Sequence, residues 1–146
     1  MDEVFAFQSA SFPAGHASDP NTEESCASGL ACLQYIVDAI RSETMCVRVA
    51  PIAEGSGCTA ILRVHGASVA LHLTWFPAGP PGSRSQDVWT LQIWPQEGWL
   101  RGALRKALGR DAPDVDEVER AVEDVLRGRS DEFSDVRICT WRDLER

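Results

Sequence analysis

No run of apolar residues in this chain approaches the roughly 20 needed to cross a bilayer as a helix. The N-terminus, Met1-Asp2-Glu3-Val4, has neither the basic start nor the apolar stretch of a secretory signal. Both readings point to a cytoplasmic protein with no membrane partner. Basic charge is scarce too: 22 acidic side chains stand against 14 lysines and arginines, a formal net charge of −8. A field of that sign repels phosphate backbones, so nucleic acid is not an expected ligand and basic protein partners are favoured. The five cysteines, Cys26, Cys32, Cys46, Cys58 and Cys139, include no C-x-x-C pair of the zinc or thioredoxin type and read as reduced thiols. A phosphate loop is missing as well. Gly55-Ser56-Gly57 lacks the lysine and the following helix of a P-loop and the full G-x-G-x-x-G of a dinucleotide fold, and its strand neighbours make it a turn. No metal and no cofactor are expected.

What is present suits one globular domain. A length of 146 residues, 44% hydrophobic and 25% charged, lies near the size at which about two thirds of the unfolded surface is buried. Residues 1–20 read as an N-terminal extended arm and residues 21–146 as a single α+β domain. The arm carries Phe5, Phe7 and Phe12 among small residues, with a short strand at 3–8, and three phenylalanines must be covered by something.

Past the arm, Asn21 and Thr22 offer capping oxygens, and Cys26, Leu30, Leu33, Val37 and Ile40 recur at steps of three and four, which predicts an amphipathic helix over 22–43. Four strands follow, at 46–52, 58–65, 69–76 and 88–94. The segment Gly66-Ala67-Ser68 closes a hairpin, and the Pro- and Gly-rich stretch 77–86 forms a loop. A helix with a basic polar face (Arg101, Arg105, Lys106) is expected over 96–108. An acidic one, with Val115, Val118, Val122, Val125 and Leu126 as its apolar stripe, follows over 113–126. A last strand over 135–141, with Val136 and Ile138 inward, leads to a charged tail. After the arm the order is therefore α-β-β-β-β-α-α-β. Strands grouped before helices indicate an antiparallel sheet of about five strands with three helices mainly on one face.

Within the strands the alternation sorts side chains into two sets. Ala60, Leu62, Val64, Val69, Leu71, Leu73, Trp75, Trp89, Leu91 and Ile93 belong to the inward set. The opposite set contains Arg48, Arg63, His65, His72, Thr74, Thr90, Gln92 and Trp94, together with Ile61 and Phe76. Cationic groups mixed with an indole and aliphatics are the composition of protein interfaces. On an acidic molecule this makes Arg48, Arg63, His65, His72, Gln92 and Trp94 the candidate partner-binding set. The rival reading is a plain solvated face, or one covered by the arm. Chemistry has thinner support. His16, His65 and His72 are the only histidines, and His65 and His72 sit on hairpin-joined strands, yet no acid or thiol at fixed spacing completes a metal or proton-transfer site. Cys58 beside either histidine would be the nucleophile–base pair, and no motif surrounds it.

In size, acidity and α+β order the whole chain resembles two groups of small bacterial proteins. One group is the immunity proteins, antitoxin-like binders that neutralise a cognate toxin; the other is the acidic chaperones that hold a secreted effector. The resemblance is one of layout and composition, without a shared motif, so no site residue is carried over from it. Ending on a strand favours the immunity-type layout over the chaperone type. The expected function is therefore a small acidic protein-binding module that masks another protein. The alternatives are an effector-binding chaperone, a small enzyme or ligand-binding domain using His65 and His72, and a homodimer whose open faces cover each other.

Overall fold

The computed structural model describes residues 3–12, 23–54, 57–76, 88–96 and 113–145. Residues 97–108 of the helix expected at 96–108, the loop at 77–86, His16 and the side chains of Cys26 and Phe76 lie outside these residues. The domain is α+β with an antiparallel sheet. Its strands are β1 (Glu3–Ser9), β2 (Met45–Glu54), β3 (Gly57–Val64), β4 (Ala67–Phe76), β5 (Val88–Pro95) and β6 (Phe133–Thr140). The sheet has six strands, in the order β2-β3-β4-β5-β1-β6, where the sequence led us to expect about five. The described helices are α1 (Glu23–Ile40), α2 (Pro113–Gly128) and the short α3 (Trp141–Glu145).

The N-terminal stretch supplies the extra strand. β1 lies inside the sheet, pairing Phe5 with Leu91 of β5 on one side and with Ile138 of β6 on the other. Because every neighbouring pair is antiparallel, β5 and β6 run the same way with β1 between them, and α2 belongs to the connection that joins them. This is a split β-α-β arrangement. The phenylalanines of the arm are covered by their own domain. Phe5 and Phe7 belong to the core shared by the sheet and the helices, and Phe12 packs against that core. Phe7 and Tyr35 each meet the Phe133 ring edge-on, at centroid distances of 5.5 and 5.7 Å, and Phe12 tilts against Tyr35 at 5.8 Å.

The inward set falls where its alternation places it. Ala60, Leu62, Val64, Val69, Leu71, Leu73, Trp89 and Leu91 are all buried in the core, with Trp75 and Ile93 packed against it. Burying each large aliphatic is worth about 1.5–3 kcal/mol. α1 covers β2, β3 and β4, while α2 lies against β4, β5 and β6 and touches α1. From α2, Val115, Val118, Val122 and Leu126 enter the core; from α1, Leu33, Val37 and Ile40 do, joined by Cys32 and Ile36.

Several boundaries differ for local reasons. α1 ends at Ile40, three residues short of expectation, because Ser42 and Met45 exchange backbone hydrogen bonds of 3.0 and 3.3 Å and turn the chain into β2. Residues expected as a charged tail form α3, where the Asp143 carboxylate accepts from the Thr140 N–H and hydroxyl, each at 3.0 Å. The described chain thus runs past its last strand into a helical turn, and the strand ending no longer separates the two resembling layouts. In β6, Asp135 sits at φ 53° where the register against β1 shifts between Ala6 and Gln8, a bulge that takes up one extra residue.

One carboxylate fastens the start of the chain to the turn before β6. Glu132 accepts from the Ser9 hydroxyl at 2.8 Å, the Ser11 hydroxyl at 2.8 Å and the Ser11 N–H at 3.0 Å. Burial pulls its pKa upward, but the hydrogen bonds from Ser11 and Ser9 prevail and hold it below the ordinary 4.5. A carboxyl whose pKa is depressed on folding stabilises the fold above its unfolded pKa, and that contribution fades as pH falls through the folded value. In urea denaturation, wild type should exceed Glu132→Gln in stability at pH 7, and the gap should close below about pH 4.5. A gap independent of pH would contradict the ionic character of this anchor.

Candidate functional site

The second face of the sheet gathers most of the expected partner-binding residues in three adjacent rows. The first joins Cys46, Arg63 and Ser68 across β2, β3 and β4. Arg48, at a register shift between Val47 and Val49, reaches over this row, its Nη1 donating to the Ser68 hydroxyl at 2.5 Å. The second row is Val49, Ile61, Ala70 and Trp94, and the third is Ile52, Thr59, His72 and Gln92. Each row is a run of directly paired residues, so these side chains share one face by register.

His72 is the most constrained of them. Its Nδ1 lies 2.7 Å from the Thr59 hydroxyl, a hydrogen bond whose direction follows the ring's tautomer. Its ring also sits 5.9 Å from that of Trp94, its diagonal neighbour on β5, tilted by 48°. Gly57 makes room for it: a Cβ there would lie 3.0 Å from both Cε1 and Nε2 of the imidazole and 2.5 Å from the Leu73 carbonyl oxygen. Burial lowers the His72 pKa, with Glu54 opposing. The ring is therefore neutral near pH 7, a packed polar group and not a third cation beside Arg48 and Arg63.

Openness varies across the face. Toward β2 it is open: Arg48 and Arg63 are exposed, and Ile52 is 51% exposed, one of two large hydrophobics left so open among the described residues. Toward β1 it is closed. Val4, Ala6, Ala70, Val88 and Thr90 are buried to 2% exposure or less, although Ala70 and Thr90 belong by register to the second face. A sheet covered on one side only does not describe this half of the molecule. The accessible part is the β2–β4 portion, with Trp94 and Gln92 half-buried at its margin.

His65 is not part of this surface. Val64 pairs with Ala67, which leaves His65 and Gly66 as a two-residue turn with φ values of 50° and 85°. Two consecutive positive φ angles are the mark of a type I′ hairpin, whose twist matches that of the strands it joins. The strand therefore stops one residue earlier than expected, and the imidazole turns to α2, where Nε2 lies 2.9 Å from Glu117 Oε2. Histidine is among the residues that tolerate the left-handed region, and the following glycine was the signal available in the sequence.

The same geometry keeps the potential catalytic groups apart. Five strand positions separate Ala67 from His72, about 17 Å at ~3.3 Å per residue, so the two imidazoles do not share a site. Cys58 opposes Leu73 in the core phase, on the other side of β3 from Thr59 and His72. Burial raises the thiol pKa of Cys32, whose side chain is fully enclosed, and that of Cys139 as well. Raised thiols are poor nucleophiles near neutrality. Among the described residues no three His, Cys, Asp or Glu side chains are grouped to hold a metal ion, and no helix is long and apolar enough to cross a membrane.

No protein family, curated protein or solved structure matches the chain.

The environment of His72 is open to direct measurement. By NMR its ring should titrate with a midpoint below the ordinary 6.5, and Trp94→Ala, which uncovers the ring, should move the midpoint back toward that value. Because the unfolded chain then takes the proton before the folded one, folding should weaken as pH drops below 6.5. A midpoint at or above 6.5 would show that the ring is not held in this desolvated arrangement.

Proposed function

We propose that the chain is a protein-binding module that covers the surface of a cognate protein, in the manner of the immunity-type binders it resembles in layout. The observation that carries this reading is the co-location on β2, β3 and β4 of exposed Arg48 and Arg63 with Ile52, Val49 and Ile61, bordered by Trp94. Two guanidiniums, each able to make paired hydrogen bonds to a carboxylate, flank an aliphatic strip on a rigid sheet. That mixture, with an aromatic anchor at its edge, is the composition enriched where proteins meet.

The energetics fit recognition. Holding apolar side chains on strands limits the entropy lost on docking, and a well-packed indole at an interface contributes more than about 2 kcal/mol. Overall negative charge then steers a partner whose surface is largely basic, while the two arginines select for acidic groups at the contact itself. The effector-chaperone layout remains the second form of the same binding role, since the short α3 removes the feature that distinguished them.

Affinity capture from the source cells with the tagged chain should recover one dominant protein in stoichiometric amount. Arg63→Glu combined with Trp94→Ala should weaken that complex by at least about tenfold, 1.4 kcal/mol. Gln34→Ala, on the exposed side of α1, should leave it intact. Unchanged affinity in the double variant would remove the proposed face. A stable dimer in light scattering, dissociated by the same double variant, would assign the face to a second copy of the chain instead.

A further inference from the structure

A second surface lies on the helix side of the sheet, where residues of α2, β1, β5 and β6 line a groove of about 350 Å³. Phe5, Leu91, Ile93 and Ile138 line its apolar side, where Phe5 and Leu91 are buried and the accessible surface comes from Ile93 and Ile138. Ile138 is directly opposite Phe5 and so has the phase of a core residue, yet it is 45% exposed. Its expected inward phase agrees with this pairing, but the side chain opens into the groove instead of being covered.

The wall is acidic. Asp116, Glu119, Glu123 and Asp124 follow one another along α2 at spacings that place them on one stripe, and Glu3 faces them from β1. Glu123 lies 3.5 Å from Arg127 of its own helix, but among the described residues Glu3, Asp116, Glu119 and Asp124 have no ion-pair partner. Among the described residues Arg120 is the one cation lining the groove, and its side chain is exposed. Burial, then Asp116, then Glu3 push the Glu119 carboxyl above its ordinary range. Like charges at the 116/119 and 119/123 spacings oppose an isolated helix, while Arg120 stands four residues from both Asp116 and Asp124 and offsets part of that repulsion.

We propose that this groove docks a basic amphipathic segment of another protein, an apolar side chain resting on the floor beside Ile138 and lysine or arginine side chains meeting Asp116, Glu119 and Glu123. The argument is charge complementarity over an apolar base. The volume, near the lower end of the roughly 300–1,000 Å³ typical of ligand sites, suits the side chains of a docking segment better than a large cofactor. This surface is separate from the β2–β4 face, so failure of one reading leaves the other standing.

The probe is a fluorescent amphipathic helix of lysine and leucine, titrated in anisotropy against the full chain at roughly 0.1 M salt, where exposed charges beyond about 10 Å are screened. A peptide of the same pattern with glutamate in place of lysine serves as the control. Saturable binding of the basic peptide alone is expected. The triple variant Asp116→Asn, Glu119→Gln, Glu123→Gln should weaken it at least tenfold, and Ile138→Ser should weaken it severalfold. The pair Asp38→Asn, Glu43→Gln, which removes two charges away from the groove, should leave it unchanged. Absence of saturable binding, an equal loss in that remote pair, or indifference to Ile138→Ser would overturn the proposal. Binding that emerges only after Arg101, Arg105, Lys106 and Arg110 are replaced by glutamine would also overturn it, by giving the groove to the chain's own basic residues.

Discussion

Pairing of the first strand between two strands from far along the chain is the constraint on which the rest of this structure depends. β1 joins residues 3–9 to β5 near residue 90 and to β6 near residue 138, and both ladders must form for the sheet to be continuous. Without it β6 has no neighbour, and Phe7, which meets Phe133 across the β1–β6 pair, loses its place in the core. Everything at the end of the strand reinforces this insertion. The Trp89 indole donates to the Phe12 carbonyl at 2.6 Å, Glu132 collects the Ser9 and Ser11 donors, and Arg129 lies over the Tyr35 ring at 5.1 Å while donating to its hydroxyl. Contacts this distant in sequence repay their loop-closure entropy only when the domain is nearly complete.

That insertion also determines where the molecule can meet others. With β1 in place, the edges of the sheet are β2 and β6, and the two surfaces of interest lie toward opposite edges and on opposite faces. The β2–β4 face offers guanidiniums and aliphatics; the groove beside β6 offers carboxylates over an apolar floor. The acidic domain thus carries one locally basic face and one strongly acidic groove, two surfaces of opposite charge.

How much of this was legible follows from which residues alternate. The inward set of β3 and β4 could be read directly, because Thr59, Arg63, His72 and Thr74 mark the opposite phase of each strand. The same holds for the stripe of α2. The placement of β1 was harder to read: Val4, Phe5, Ala6 and Phe7 are buried consecutively, so no alternation distinguishes their two sides, and an extended arm with a short strand is the natural reading. His65 was misplaced because a two-residue turn shortens the strand by one position, and strand length decides which face a terminal residue joins. Ile138 shows the complementary limit. Its phase was correct, but exposure depends on how far a helix from elsewhere in the chain reaches. Likewise the closure of the second face over Val88 and Thr90 is a tertiary property that no local pattern carries.

Native-state amide hydrogen exchange of residues 4–7 tests the central claim most directly. If β1 is an integral inner strand, these amides exchange only through global unfolding, with protection equal to that of β4 at residues 69–73. Exchange as rapid as that of an unpaired terminus, while β4 stays protected, would contradict the account: the sheet would then be complete without its first strand.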